Sequence, residues 1–416
     1  MRMTTRLTPL AWLAMLLGAI LTFAGAPARA QETTEERLQE LERQVGELHG
    51  QREQADTTGK VNLAGYGEIH FNGTEGPAKD KADLHRFVLY FGYDFAEWAR
   101  LHSELEVEHA LVKDNNGYLV LEQLFVELDG NEWLNGRIGR VLMPLGIVNQ
   151  KHEPTTFNGV ERPLVDKVII PTTWFSDGAG LFGNLGPQVQ YQAYLTSSLD
   201  ASRFDAMEGI RGGRMTEEPG LSQLAVSGRV DYFPLANLEL STPQNLRLGL
   251  GYFGGGASNK NKGAASTVSA DVTMYAADAE YSIGRFDLRG VWALGKIGNA
   301  AGLPANLDTD ATNNIASEIL GWYLEGAVHV LPDHWKQGKL RDADAVLFAR
   351  YEKADTQHKM PASLAKNPAG DRTETTFGIN FYPTANLVLK ADYQIRDDAG
   401  ATKPANLFNA GVGWMF

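Results

Sequence analysis

Arg372 to Arg396 reads RTETTFGINFYPTANLVLKADYQIR, and this stretch sets the class of the fold. From Thr373 to Phe381, every second residue belongs to one β-branched or aromatic row, and the residues between them are polar or glycine. After a turn at Pro383, the period of two resumes from Leu387 to Ile395. A period of two is that of a β-strand with one apolar and one polar face. The stretch therefore predicts a β-hairpin.

The same alternation runs from Val61 to Phe416. It predicts sixteen strands, at residues 61–73, 84–96, 100–112, 119–129, 134–142, 177–183, 187–198, 221–233, 244–254, 270–283, 285–297, 316–330, 343–354, 371–382, 385–396 and 405–416. Short turns and longer polar loops alternate between them, as in transmembrane barrels with short turns at one end and long loops at the other. We therefore expect an all-β, sixteen-stranded antiparallel transmembrane β-barrel over residues 61–416. A soluble β-sandwich or a β-helix would also alternate, but the loop pattern favours the barrel.

Aromatic residues cluster near the predicted short turns, where the interfacial girdle of a membrane barrel belongs. They are Trp98, Trp133, Phe233, Trp335, Phe381 and Tyr382.

The first thirty residues are typical of an export signal. Arg2 and Arg6 precede an apolar stretch from Leu10 to Phe23, and Ala28-Arg29-Ala30 matches a cleavage site. We expect a signal peptide at 1–30 and a mature chain that starts at Gln31. The alternative is a retained membrane anchor, for which the apolar stretch is short.

Residues 31–58 are predicted to form a helix. Leu38, Leu41, Val45 and Leu48 step by three and four residues, which is the seam of a coiled coil. Two alternatives stay open: a short coiled coil between protomers, or a solvated amphipathic linker.

Composition excludes several function classes. The 416 residues carry a net charge of −13, which would become −16 after loss of the signal peptide, and this argues against nucleic-acid binding. The absence of cysteine excludes disulfides, thiolate metal sites and cysteine nucleophiles. Common catalytic and nucleotide-binding motifs are missing from the sequence. We therefore expect a protein that is not an enzyme, with no cofactor and no metal site.

The sequence ends in Gly413-Trp414-Met415-Phe416, with a terminal Phe on an alternating strand. In this the chain resembles a Gram-negative outer-membrane porin, a family in which such a Phe is the assembly signal. The acidic segment before the first strand, and the run from Gly136 to Arg140 that leads into Pro144-Leu145-Gly146, resemble the phosphate-selective porin O/P family. The resemblance implies a homotrimer in the cell outer membrane, surrounded by lipid, with a loop folded into each lumen.

The longest connection, about residues 143–176, is the candidate constriction loop, because a sixteen-stranded barrel leaves an aqueous channel that something must narrow. Charged rings at a constriction set selectivity. The loop carries Lys151, His152, Glu153, Glu161, Arg162, Asp166 and Lys167. The alternative is an ordinary surface loop.

Two charge rows are expected on the polar faces of the strands. The third strand carries Glu104, Glu106 and Glu108, which we expect to stay solvated, with Glu68 and His70 of the first strand nearby. In a closed barrel of sixteen strands, the third strand lies across from the eleventh. The opposing row consists of Arg285, Arg289, Arg350, Arg372, Lys390 and Arg396, and Arg137 lies on the fifth strand. The alternative is that these groups only form ion pairs along the wall.

The predicted function is a water-filled channel for passive diffusion of small hydrophilic or ionic solutes, with anions such as phosphate among the candidates. Because the strands carry few lysines and the chain is acidic, we expect weak selectivity. The alternatives are a barrel enzyme of the phospholipase or protease type and a structural barrel anchor.

Overall fold

A computed structural model describes residues 60–109, 117–214, 223–257, 270–303 and 313–416. The predicted signal peptide and the predicted coiled-coil helix lie outside these described residues. Within them, no helix is long and apolar enough to cross a membrane.

The chain forms a closed barrel in which every strand pairs antiparallel with its neighbours in sequence, and the last strand pairs with the first. The strands are β1 (Val61–Thr74), β2 (Lys81–Ala96), β3 (Ala99–Glu108), β4 (Leu119–Asn131), β5 (Leu134–Leu142), β6 (Phe175–Asn184), β7 (Val189–Ser197), β8 (Leu224–Tyr232), β9 (Gln244–Gly256), β10 (Asp271–Ile283), β11 (Phe286–Gly298), β12 (Glu318–His329), β13 (Asp344–Lys359), β14 (Asp371–Thr384), β15 (Leu387–Asp398) and β16 (Leu407–Met415). The prediction of a sixteen-stranded antiparallel barrel is confirmed.

The outer face of the barrel is apolar. One side chain of each alternating pair points outward and is left exposed, as at Ile138, Leu250 and Leu324. A continuous exposed apolar surface of this kind is typical of contact with lipid or a partner. Trp98, Trp133 and Trp335 lie exposed at the short-turn end, as predicted for the girdle.

Phe381 does not belong to this girdle. It is buried in a small cluster with Leu331, Leu340 and Ala345 beneath the turn between β12 and β13. The prediction placed Phe381 at the correct end of its strand, but the turn folds over it.

Short helices occur only in the connections of the described part of the chain. One turn of α-helix, α1, spans Val165–Val168. The 3-10 turns are Ala201–Arg203, Arg211–Arg214, Ala300–Gly302, Asp333–Trp335, Gly338–Leu340 and Pro368–Gly370.

The core lies inside the barrel. Its main cluster joins apolar side chains from the inner faces of β9 to β12 with the connection after β5, which contains α1, and the connection after β7. A barrel of this size is wide enough for a channel, so these connections occupy space that water would otherwise fill.

Candidate functional site

The connection from Met143 to Trp174, between β5 and β6, runs through the lumen and is the candidate functional site; we call it the inner loop. It enters through a tight turn at Gly146, whose φ of +65° suits glycine. A Cβ at this position would lie 2.9 Å from Cδ1 of Ile170. The loop is therefore packed closely against itself from its first residues.

One side of the inner loop is held by apolar contacts. Val165, Ile169 and Trp174 are completely buried in the main cluster. The indole of Trp174 packs on Phe253 of β9, with ring centroids 4.7 Å apart. α1 has an apolar face and only one turn, which is too short to be stable alone. The helix therefore depends on packing against this cluster.

Buried charges of β12 and β13 hold the adjoining part of the loop. Arg350 lies between Glu325 and Glu352, with a donor nitrogen 3.0 Å from a carboxylate oxygen of each. Its guanidinium also donates to the backbone carbonyl of Asn158 at 3.2 Å. Glu352 accepts from the backbone N–H of Leu164. Arginine suits this position because its fixed fork of donors serves several acceptors at once.

A second set of buried charges on β15 continues this attachment. The Lys390 ammonium donates to the carbonyls of Phe157 and Gly159, at 2.9 and 2.7 Å. Asp392 accepts from the N–H of Val160 at 2.6 Å. These strand charges thus replace water as hydrogen-bond partners for loop backbone that runs through the lumen.

His152 anchors the start of the loop to β3 and β4. Its Nε2 lies 3.2 Å from oxygens of both Glu104 and Glu122. Burial disfavours the imidazolium, but the two carboxylates outweigh it and raise the pKa of His152 to about 10. His152 is therefore a buried cation at neutral pH. Arg86 of β2 adds a bond to the His152 carbonyl at 2.6 Å.

The bulge between β3 and β4 makes this cluster possible. Glu122 is skipped between the pairs Glu104–Gln123 and Leu105–Leu121. A bulge re-aims the side chain of the extra residue, and here it brings Glu122 to the inner side beside Glu104.

Glu161 and Lys167 form an ion pair on the part of the inner loop that we call its outer side. The Lys167 ammonium lies 2.6 Å from Glu161, which also lies 3.4 Å from Nδ1 of His70. Burial opposes ionisation of Glu161, but the charges of Lys167 and His70 hold the pKa of its carboxyl well below the usual range. Arg162 lies next to this pair and donates to the Thr173 hydroxyl at 3.5 Å.

The connection after β7 covers this region with two more arginines. Arg211 donates to the carbonyls of Lys167 and Thr172, and Arg214 donates to that of Thr173 at 2.9 Å. Burial and the charge of Arg211 lower the pKa of Arg214 to about 10. The two connections are therefore fastened together on a surface that is rich in cations.

Asp166 is the buried acid of α1. Neither of its carboxyl oxygens has a hydrogen-bond partner among the described residues. Burial, and then the charge of Glu352, raise the pKa of Asp166 to about 8. The carboxyl is therefore protonated at neutral pH, which removes the cost of burying an unpaired charge.

The remaining predicted site residues fall into two groups. Arg137 and Arg289 face inward: Arg137 lies 2.8 Å from Glu127, while Arg289 lies 3.3 Å from Glu325 and donates to the Thr156 carbonyl of the loop. Of the others, Arg372 and Arg396 lie near strand ends, and Lys151 and Glu153 lie on the inner loop itself. Glu153 pairs with Tyr90, Arg372 with the Met207 carbonyl, Arg396 with Glu374, and Lys151 is exposed.

Two expectations about the charge rows are wrong. Glu104 and Glu106 are buried beneath the inner loop and not solvated; only Glu108, at the end of β3, is partly exposed. Arg285 lies in the turn before β11, exposed, and pairs with Asp333 at 2.8 Å. β3 and β11 are indeed eight strands apart in the ring. The inner loop lies between them, however, and Glu104 and Arg289 bind residues of the loop.

Sequence reasoning missed several residues that hold the loop, notably Arg86, Glu122, Asn158 and Asp392. Asn158 donates to Glu325 at 2.8 Å and accepts from Asn380 at 2.7 Å. The one available signal was the presence of acids at strand positions that the alternation assigns to the inner face, such as Asp392.

Comparison with solved structures shows the fold. The chain is similar to OmpT, an outer membrane protein of Vibrio cholerae in its trimer form (TM-score 0.51, 12% identity, 86% of this chain and 99% of that chain). It is also similar to an anion-selective porin from Comamonas acidovorans (TM-score 0.50, 14% identity, 86% and 99%) and to the outer membrane channel DcaP of Acinetobacter baumannii (TM-score 0.51, 15% identity, 86% and 97%).

No protein-family profile matches the chain. Over 370 residues the chain is 30% identical to an uncharacterized protein of Aquifex aeolicus (strain VF5), a match that spans 86% of this chain and 80% of that protein. The chain therefore belongs to the same family as this Aquifex aeolicus protein.

Proposed function

We propose that this protein is an outer-membrane porin, a channel for passive diffusion of small hydrophilic or ionic solutes. The observation that carries the proposal is the inner loop, which is held across the lumen by buried charges of β2, β3, β13 and β15 and has Glu161, Arg162 and Lys167 on its outer side. A closed barrel with an apolar outside and a charged loop inside suits a narrowed aqueous passage.

The passage is proposed to be narrow. Apolar contacts fill the part of the lumen next to β9 to β12, so water and solutes would pass along the polar groups that remain. We expect a smaller conductance than an open lumen of sixteen strands would give. The residues proposed to line it are Glu108, Arg137, Lys151, Glu153, Glu161, Arg162, Lys167 and Arg289.

For the solute class, we propose weak selectivity with a local path for anions such as phosphate. The cations Arg162, Lys167, Arg211 and Arg214 gather on the outer side of the loop. The overall negative charge favours cations at the mouth. The similarity to an anion-selective porin and the sequence resemblance to phosphate-selective porins support the anion path.

For location and assembly, we propose export by the signal peptide of residues 1–30, insertion into the cell outer membrane and a homotrimer supported by residues 31–58. The trimer form of the similar Vibrio cholerae protein supports the assembly. Replacing Leu41 and Leu48 by polar residues should lower the melting temperature of the trimer while leaving the barrel folded.

Single-channel recording in planar lipid bilayers tests the channel. We expect small, ohmic current steps, with a reversal potential in a salt gradient that departs only slightly from zero. A barrel enzyme of the phospholipase or protease type would give hydrolysis of lipid or peptide without such steps, and a structural anchor would give neither. Either of these results would refute the proposal.

A further inference from the structure

The bulge between β1 and β2 changes which side chains near the start of β2 face the lumen. His85 is skipped between the pairs Glu68–Arg86 and Ile69–Leu84. Strict alternation from Arg86 would have turned Asp83 outward, because the two are an odd number of residues apart. The bulge instead pairs Asp83 with His70, which faces inward.

Asp83, His85 and His109 converge as a result; we call them the mouth triad. Oδ2 of Asp83 lies 3.1 Å from Nδ1 of His85 and 2.8 Å from Nδ1 of His109. One ligand atom from each of the three side chains lies within 4.8 Å of the other two. Residues from two different strand ends thus aim nitrogen and oxygen donors at one point.

The backbone holds His109 in this position. It follows the last residue of β3 with a φ of +57°, and its N–H donates to the carbonyl of His85 at 2.8 Å. A left-handed conformation is uncommon for a residue with a side chain, although histidine tolerates it better than most. The ring of His85 is fixed in turn by stacking on His70, with centroids 4.3 Å apart.

The triad is also accessible. The side chains of Asp83, His85 and His109 are 25%, 27% and 44% exposed. A second triad of this kind among the described residues, Glu104, Glu122 and His152, is buried, and a protonated His152 already neutralises one of its carboxylates. Of the two, only the mouth triad can exchange an ion with the solution.

We propose that the mouth triad binds one divalent first-row transition-metal ion, such as Zn²⁺, Ni²⁺ or Cu²⁺. Two imidazole nitrogens and one carboxylate oxygen are a donor set that these ions prefer. Zinc bonds of about 2.0–2.1 Å in a tetrahedral site place neighbouring ligand atoms about 3.3 Å apart. Oδ2 of Asp83 lies 3.1 and 2.8 Å from the two imidazole nitrogens, and the histidine ligand atoms lie within 4.8 Å of each other, so the side chains would adjust to reach this value. A fourth position stays open to water or solute.

The site does not depend on the channel function. It lies next to the inner loop, however, because His70 contacts both the ring of His85 and the carboxylate of Glu161. A bound ion would therefore add two positive charges beside the outer side of the loop.

Titration of the full-length folded protein with CuCl₂ and ZnCl₂, followed by calorimetry and by electron paramagnetic resonance for Cu²⁺, tests the site. We expect one saturable site with two nitrogen ligands to Cu²⁺. His109→Gln should weaken binding about tenfold or more and leave a single nitrogen, and Asp83→Asn should weaken binding with both nitrogens retained.

His358→Gln is the matched control, because His358 is similarly exposed and lies 3.9 Å from Asp355. This variant should bind as the unmodified protein does. Equal affinity in the unmodified protein, His109→Gln and Asp83→Asn would overturn the proposal, as would the absence of saturable binding. So would a loss of binding in His358→Gln alone.

Discussion

The inner loop is attached to the barrel through two kinds of chemistry. Val165, Ile169 and Trp174 pack into the core of β9 to β12, which we call the apolar seam. Arg350 and Lys390, on the neighbouring strands β13 and β15, hold loop carbonyls and N–H groups together with their carboxylate neighbours, which we call the ionic seam. Apolar burial stabilises without direction, whereas buried charges require matched partners at fixed distances.

This difference shows how a long loop can be held inside a barrel. The apolar seam supplies the free energy that keeps the loop from leaving the lumen, because water is excluded there. The ionic seam sets the height and orientation of the loop, since each charged group accepts only a partner in the right place. The two seams should therefore fail differently when they are altered.

The largest effect is expected from Arg350→Met in the ionic seam. This change leaves Glu352 buried without its cation and Glu325 with only Arg289, and breaking a buried pair in this way costs about 3–5 kcal/mol. Urea unfolding from lipid vesicles would measure the loss in free energy of unfolding. Adding Glu325→Gln and Glu352→Gln to Arg350→Met should recover part of the lost free energy of unfolding. If Arg350→Met alone left the stability unchanged, the ionic seam would not stabilise the fold.

A somewhat smaller effect is expected from Ile169→Ala in the apolar seam. Truncating a fully buried isoleucine leaves a cavity and costs about 3 kcal/mol, within the usual range of about 2–5. Leu238→Ala, at an exposed position in the turn between β8 and β9, is the control and should change stability by less than about 0.5 kcal/mol. Equal losses of stability in Ile169→Ala and Leu238→Ala would contradict the packing of Ile169 into the apolar seam.

Raising the pH should loosen the loop at His152, its attachment to β3 and β4, and at Asp166 of α1. His152 and Asp166 both have raised pKa values, about 10 and about 8. A group whose pKa is higher in the folded than in the unfolded protein contributes stability at low pH and loses it as the pH rises through the folded value. We expect the stability contributed by Asp166 to fall up to about pH 8 and that of His152 to fall between about pH 6.5 and 10.

The urea midpoint and the current noise, followed from pH 6 to 10.5, measure this loosening. Asp166→Asn should remove the fall in the urea midpoint below about pH 8 and retain the fall near pH 10. If Asp166→Asn and the unmodified protein show the same pH dependence, Asp166 does not contribute to the loosening.

The smallest effect is expected from the exposed charges, because salt screens them over about 8 Å at physiological ionic strength. Glu108→Gln should shift the reversal potential towards anions, and Lys167→Gln should shift it towards cations, each by a few millivolts. Shifts in the opposite directions would mean that these side chains do not face the passage.

Much of the fold was predictable because the alternation of residues such as Phe377, Ile379 and Phe381 depends only on which side of a strand faces lipid or core. The long connection could be identified from its length and charge. Its attachments could not be identified, because two bulges shift the side-chain alternation and contacts such as Asn158 to Glu325 join residues 167 positions apart. The solvation of Glu104 was predicted wrongly for the same reason, since the residue that covers it, His152, lies on the loop.

Thiol modification of Lys167→Cys during single-channel recording asks whether the inner loop narrows the conducting path. The chain has no native cysteine, so the introduced thiol is the only target. We predict that a bulky, negatively charged methanethiosulfonate reagent reduces the current of Lys167→Cys in a single step. The same reagent should leave Lys339→Cys, at an exposed site in the turn between β12 and β13, unchanged. An unaltered current in Lys167→Cys, or an equal reduction in both variants, would contradict a passage that runs past the inner loop.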